Sequence, residues 1–296
     1  MSGLAFTSET FDLHCHGGGG FYFSDPSPEN IQSAIEFHKM NGTGQLLASL
    51  VTEDISTLKQ QIRRLIPFCE NNSILGIHLE GPYLAQTRCG AHNPTLLRTP
   101  NLDEIKSLID EGQGNIRMIT IAPELDGALV ALKYLRSIGI VAAIGHSAGT
   151  YEDAFKATDA GAQLVTHFSN GMSKLVDGDK TFATALLYER DIYLELIVDH
   201  EHVSDADVRV IAKNAESRLI FVTDAMSAAG QPDGEYKIGS LEVRVSNGVA
   251  RLATNNSLAG STLTMKKITE NASRVGIDNQ TIVKSVSENP KRLLGF

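Results

Sequence analysis

A chain of 296 residues with 42% hydrophobic and 21% charged side chains has enough apolar material for one large core, and this balance excludes a disordered polymer. The formal net charge of −9 leaves no basic footprint for nucleic acid and no polybasic patch for an anionic membrane, so a small-molecule partner is expected. No apolar run approaches the roughly 20 residues of a membrane span, and the opening MSGLAFTSET lacks a basic n-region and a signal-type apolar core, which predicts a cytoplasmic protein.

In chain order, short apolar runs alternate with segments of helical period. Strands are predicted at FDLHCH (11–16), QLLASLV (45–51), ILGIHLE (74–80), IRMITIA (116–122), IVAAIGH (140–146), AQLVTH (162–167), IYLELIVD (192–199) and LIFVTDA (219–225). Helices are predicted near 28–41, 54–71, 102–112, 126–138, 150–160, 180–190 and 204–215, with more helix near 262–294. The strand runs are largely apolar rather than alternating, as happens when helices cover one face of a parallel sheet and a packed interior covers the other. Eight strands, each followed by a helix, predict the α/β class and a (β/α)8 TIM barrel, with residues 1–296 forming a single domain. An open doubly wound sheet is disfavoured: GGGG at 17–20 runs on into Phe-Tyr-Phe-Ser-Asp-Pro and reads as a loop, not as a phosphate-binding turn into a helix. The stretch EYKIGSLEVRVSNGVARL (235–252) alternates and carries Asn247-Gly248, which predicts a β-hairpin inserted after strand eight.

Cys15, Cys69 and Cys89 are odd in number and match neither a disulfide framework nor a zinc-finger spacing, so they read as reduced thiols, with Cys69 a packing residue and Cys89 in the loop RCGAHN.

The ionisable residues without a local role gather at the C-terminal ends of strands. His14 and His16 close strand one, Glu80 strand three, His146 strand five, His167 strand six and Asp224 strand eight. All then share the upper rim of the barrel, where active sites of this architecture sit. In His14-Cys15-His16 the two imidazoles point to the same side of the strand and Cys15 points away. Taken singly, each has a plain structural reading: Glu80 a solvated strand end, His146 a helix-entry hydrogen-bonding group, His167 a satisfied core histidine. Jointly, imidazoles with a carboxylate are the ligand set of Zn2+ or a similar divalent ion with one position left open. Asp224 is then the candidate base, and metal-assisted hydrolysis the reaction class. An isomerase or aldolase on the same rim stays open at this point, because position does not name the substrate.

The segments FDLHCHG, HLEGPYL followed by GAHNP, GHSAGTYEDAFKATDAGAQLVTHFSNGM, VTDAMSAAG, PDGEY and LAGSTLTM carry a resemblance. From about residue 11 to its end the chain resembles the amidohydrolase superfamily and, within it, the N-acetylglucosamine-6-phosphate deacetylase family. The resemblance implies metal-dependent hydrolysis of the acetamide of N-acetylglucosamine 6-phosphate to glucosamine 6-phosphate and acetate. It also implies one or two divalent ions per subunit, zinc first with iron, cobalt or manganese as alternatives, and a homodimer. By position, Glu80, His146 and His167 become the primary metal ligands, and His14 with His16 a second metal position. Asp224 becomes the residue that activates water and protonates the departing amine. His92 of GAHNP and His202 of HEHV align with substrate-contacting histidines, and Asn170 and Gly171 with donors near the phosphate.

Three departures from the family pattern bear on these expectations. The accessory β-sandwich of the family is expected to be missing. The arginine usual after the Asn-x-Met stretch, whose fork grips phosphate, is not found in SNGMSKLVDGDKT, where Lys174 or Lys180 could supply a point charge instead. Ser169 and Gly171 replace the usual aromatic residue and alanine. These differences keep open a related metal-dependent deacylase acting on a different or unphosphorylated N-acyl substrate and, behind it, an inactive sugar-binding barrel.

Overall fold

The computed structural model describes residues 9–175 and 179–296; residues 176–178, within the SNGMSKLVDGDKT loop, lie outside the description. Eight strands follow one another around a barrel: β1 Phe11–Cys15, β2 Gln45–Leu50, β3 Gly76–Glu80, β4 Ile116–Ile121, β5 Val141–Ile144, β6 Leu164–Val165, β7 Tyr193–Leu196 and β8 Leu219–Phe221. Each pairs in parallel with the next in chain order. This is the predicted TIM barrel. The seam between β8 and β1 is closed near its upper end: Asp224 N–H donates to His14 O at 2.9 Å and His16 N–H to Ala225 O at 2.8 Å. The buried Asp12 carboxylate completes it, accepting from Thr223 N–H at 3.1 Å and from Thr223 Oγ1 at 2.6 Å.

Helices α1 Pro28–Met40, α2 Ile55–Glu70, α3 Leu102–Glu111, α4 Ala128–Ser137, α5 Tyr151–Asp159, α6 Phe182–Tyr188, α7 Asp205–Ala215 and α8 Met265–Val275 separate the strands or follow the last. Seven begin at a Ser, Thr, Asp or Asn whose side chain accepts an orphan N–H of the first turn: Ser27, Asp54, Asn101, Thr150, Thr181, Ser204 and Thr264. The exception, α4, starts from Gly127 at φ +83°, where a Cβ would stand 2.7 Å from Pro100 O. Helical periodicity sets the buried face; in α2 Leu58, Ile62, Leu65, Ile66 and Cys69 turn inward.

Three expectations need correction. The 235–252 segment is a three-stranded sheet, β9 Gly234–Ile238, β10 Leu241–Ser246 and β11 Val249–Leu252, not a two-stranded hairpin. Asn247-Gly248 makes the second turn, with φ of +53° and +76°, while the first uses Gly239 at φ +52°. Its apolar face, with Ile238, Val243, Val245 and Leu252, packs with Val51 after β2 and Met226 after β8, so the insertion roofs one side of the rim. In the GGGG loop, Gly17–Gly18 pairs antiparallel with Phe21–Tyr22. The helix expected over 262–294 stops at Gly276, φ +95°, and resumes over Asn279–Leu294 through a wider π-type turn at Lys284–Glu288. Pro290, which has no N–H for the helical ladder, follows that turn directly.

Cys15, Cys69 and Cys89 are all free thiols, the first two buried. Cys15 Sγ lies 3.2 Å from Nε2 of the fully buried His38, which also bonds Gly17 O at 2.9 Å. Burial pushes the His38 pKa down to about 4, against the opposing pull of the Gly17 carbonyl. The unfolded chain therefore binds a proton between pH 6.5 and 4 that the folded chain refuses. The resulting stability is complete above 6.5 and is lost as pH falls toward 4. From urea melts, the wild type should lose about 2 kcal/mol more than His38→Gln on going from pH 7 to pH 5; equal losses would refute this account.

Candidate metal centre

Glu80, the last residue of β3, projects its carboxylate into a ring of imidazoles. Oε1 lies 3.0 Å from His146 Nε2 and 2.9 Å from His167 Nε2, and those two nitrogens are 3.0 Å apart. Oε2 lies 3.4 Å from His14 Nε2 and 3.2 Å from His16 Nε2. Asp224 Oδ1 approaches the same pair at 3.5 and 3.2 Å, and the pair are 3.1 Å from each other. None of these six residues is more than 6% exposed. Ligands around a tetrahedral Zn2+ with bonds near 2.05 Å are separated by about 3.3 Å. The six residues thus converge as two lobes of metal-ligand spacing, with the two oxygens of Glu80 pointing one into each.

The imidazole tautomers support the same reading. His146 Nδ1 sits 2.7 Å from Arg88 O, and His16 Nδ1 3.2 Å from Ser49 O; a carbonyl only accepts, so in each ring the proton is on Nδ1 and the Nε2 lone pair faces the centre. His14 Nδ1 faces the Glu195 carboxylate at 3.1 Å with the same result. Such outer partners are what orient metal-binding histidines. His92 is the reverse case. Its Nδ1 accepts the Thr52 N–H at 3.2 Å, so the neutral ring carries its proton on Nε2, 3.3 Å from Glu80 Oε2. His92 is placed as a hydrogen-bond donor at the mouth of the centre rather than as a ligand.

The electrostatics ask for positive charge. Burial opposes protonation of His16, yet Asp224 and Glu80 raise its pKa to about 9. Burial likewise opposes ionisation of Asp224 and Glu80, and the surrounding imidazoles nonetheless hold both carboxylates well below their usual range. A divalent cation satisfies that field with the nitrogen lone pairs left bare, so the residues fit a resident metal ion.

The backbone is strained where the site is made. His146, His167 and Asp224 have φ of +46°, +27° and +48°, a region that disfavours residues with a Cβ. These turns end β5, β6 and β8 before the predicted limits, and each swings its side chain over the rim. Two glycines sit against the same imidazole: a Cβ at Gly90 would be 3.0 Å from His146 Cε1, and one at Gly171 3.1 Å from His146 Nδ1, both at positive φ. Glycine at 171 is thus a packing requirement here.

A cavity of about 210 Å3 opens above the centre, lined by His92, Asn170, Gly171 and His202 together with Ile238 of β9. His202 Nδ1 bonds the Asp199 carboxylate at 2.6 Å, and this bond outweighs burial to raise the His202 pKa. The Asn170 amide donates to His167 O and Phe168 O, folding the loop around the centre. Lys174 and Lys180 are exposed and do not line the cavity; Lys180 lies over the Tyr151 ring instead. Sequence reasoning passed over Glu195, Asp199, Asp12 and Thr52. Glu195 and Asp12 left a trace, each a carboxylate within an apolar run, and Asp199 left its three-residue spacing to His202; Thr52 carries no local signal.

No family model matches the chain. It is 35% identical over 289 residues to N-acetylgalactosamine-6-phosphate deacetylase of Escherichia coli O157:H7, covering 96% of this chain and 76% of that protein. It is 32% identical to N-acetylglucosamine-6-phosphate deacetylase of Vibrio furnissii, covering 89% and 67%. Among solved structures, a mutant N-acetyl-D-glucosamine-6-phosphate deacetylase of Mycobacterium smegmatis in complex with N-acetyl-D-glucosamine 6-phosphate superposes with a TM-score of 0.94 at 40% identity, over 97% of this chain and 77% of that one. The Pasteurella multocida enzyme gives 0.91 at 29% identity, over 97% and 76%. The chain is therefore a metal-dependent amidohydrolase by descent, and it belongs to the N-acetylglucosamine-6-phosphate deacetylase family.

Proposed function

We propose that this chain, acting as a single barrel domain in the cytoplasm, removes acetate from N-acetylglucosamine 6-phosphate. The observation that carries the reading is the meeting of Glu80, His146 and His167 at 2.9–3.0 Å, with His14, His16 and Asp224 beside them. Free thiols and the lack, among the described residues, of any helix long and apolar enough to cross a membrane agree with the location. The homodimer implied by the resemblance is kept as part of the proposal.

Glu80, His146 and His167 would hold the primary divalent ion, with zinc the first choice for this nitrogen and carboxylate donor set, and His14 and His16 a second. When bound, such an ion supplies Lewis acidity toward the acetamide carbonyl and makes water a nucleophile at neutral pH. Asp224, kept ionised by His14 and His16, accepts the proton of the attacking water. It then returns that proton to the sugar nitrogen, without which an amine leaves poorly. His92 Nε2–H donates toward the acyl oxygen as negative charge builds there. His202, steadied by Asp199, and the Asn170–Gly171 turn contact the sugar and its phosphate.

A second reading, a deacylase for a different N-acyl substrate, is favoured by one observation: no lysine or arginine is among the described residues lining the cavity. Relatives named for N-acetylgalactosamine 6-phosphate add the C4 epimer to the comparison. Acetate release should be fastest from N-acetylglucosamine 6-phosphate, ahead of its galacto epimer and of free N-acetylglucosamine; equal rates on the free sugar would transfer the function to the second reading.

Two variants separate metal binding from proton transfer. Glu80→Gln should strip the purified protein of metal in both lobes, measured by elemental analysis, because it alters the one side chain they share. Asp224→Asn should keep the ion held by Glu80, His146 and His167 while turnover falls by about 100- to 10,000-fold. Near-native activity in Asp224→Asn would remove the role assigned to it.

A further inference from the structure

Glu195 stands in the middle of β7, fully buried, and the proposed reaction gives it no task. A single oxygen, Oε2, accepts both from His14 Nδ1–H and from the His167 backbone N–H, each at 3.1 Å. The other oxygen, Oε1, is buried with no hydrogen-bond partner. No lysine or arginine pairs with this carboxyl among the described residues, so its compensation comes from His14 and the His167 N–H. Leu194 and Leu196, on either side of it, belong to the other face of the strand, which places Glu195 with the side chains beneath the rim.

The geometry supplies a reason for the acid. His14 is wedged between Glu195 on its Nδ1 side and the cluster of His16 Nε2, Glu80 Oε2 and Asp224 Oδ1 on its Nε2 side. A carboxylate that accepts the Nδ1 proton locks the tautomer and pushes electron density toward Nε2. The corresponding partners of His16 and His146 are the neutral carbonyls of Ser49 and Arg88. Among the three ligand histidines whose outer partner is seen, His14 alone has an anionic one. The second lobe therefore receives an electrostatic increment that the first lacks.

We propose that Glu195 is a positioning residue that sets occupancy of the second metal position, the lobe made by His14, His16 and Asp224, and so decides whether this barrel runs with one ion or two. The inference rests on the two-lobed reading of the centre given above.

Glu195→Gln isolates the charge, because an amide oxygen in place of Oε2 can accept the same two N–H groups. Metal-free wild type and variant are titrated with Zn2+ and followed calorimetrically, and the retained zinc is counted by elemental analysis after dialysis. The wild type should take up two equivalents. In Glu195→Gln the tighter equivalent should keep its affinity, while the weaker one drops by about 10- to 100-fold. Glu195→Asp, which keeps a charge but withdraws it from His14 and from the His167 N–H alike, should weaken the second equivalent more than the first, and it serves if the glutamine variant does not fold. Unchanged affinity at both positions, or equal weakening of both as expected from a packing defect, would overturn the inference. A wild type that binds only one equivalent would sink the two-lobed reading and the inference with it, an outcome distinct from either of those.

Discussion

Five imidazole nitrogens stand within 3.4 Å of the two oxygens of Glu80, and most of the upper rim is arranged around that contact. A carboxylate at 3% exposure cannot be stabilised by solvent, so its partners have to be brought to it from β1, from the turns after β5 and β6, and from the loop that carries His92. Each arrives with its outer nitrogen already committed, to Glu195, Ser49, Arg88 or Thr52 where a partner is seen. The centre is thus held by bonds that run outward into the barrel wall; His14, His16 and His146 keep their inner lone pairs for a cation, while His92 turns its Nε2–H toward Glu80.

That arrangement explains an otherwise uneconomical interior. TIM barrels are usually filled by branched aliphatic layers; here Ser49, His78, Thr120 and Thr166 form a hydrogen-bonded row beneath the rim, with steps of 2.9, 2.8 and 2.8 Å. Thr120 and Thr166 come from β4 and from the end of β6, and they meet across β5 at Gly145, where a Cβ would stand 2.8 Å from Thr166 Cβ. The His78 ring lies edge-on to His14 at 4.7 Å. The row acts as a polar floor: it fixes the height at which His14 sits while satisfying its own members. Left-handed backbone at His146, His167 and Asp224 costs on the order of 1–3 kcal/mol at each residue. Strain placed at three members of one cluster, in turns that hydrogen bonds such as Ser147 N–H to Gly171 O hold closed, is the mark of a site selected for chemistry at the expense of stability.

The eight-strand count and the grouping of His14, His16, Glu80, His146, His167 and Asp224 were legible because they depend on two local rules, apolar runs for strands and period-two alternation within β1. The strand limits at 146, 167 and 225 overrun the structure, since a residue with a Cβ at positive φ, as at His146, His167 and Asp224, gives no compositional warning of the kind glycine gives. The first turn of the inserted sheet is harder to read because Gly239-Ser240 is a weaker signal than Asn247-Gly248. Ligand tautomers were beyond reach for a different reason. Ser49 opposite His16, and Arg88 opposite His146, contribute backbone carbonyls, and a backbone atom carries no sequence identity. Asp199 and His202 are three residues apart and could have been paired as a local hydrogen bond before a helix, but only the fold shows that His202 faces the same cavity as Glu80.

Charge balance decides how the proposed substrate would be held. A sugar phosphate brings up to two negative charges to a protein of net charge −9, into a cavity whose described lining holds no lysine or arginine. Attraction from the protein as a whole is unfavourable, so recognition has to be local. The cation demanded by Glu80 and Asp224 lies at the acetamide end and is shared with those carboxylates. His202 is the remaining side chain able to carry positive charge at the cavity wall, and Asp199, by accepting its Nδ1 proton, raises its pKa and leaves Nε2 as its other donor. A histidine held this way offers a single charged donor where an arginine would offer a planar fork, and in the proposed reading the backbone groups around Asn170 and Gly171 would supply the rest of the phosphate contact. Their shape is fixed by the same turn that places His167 on Glu80, which couples the recognition of one end of the substrate to the assembly of the centre that would attack the other.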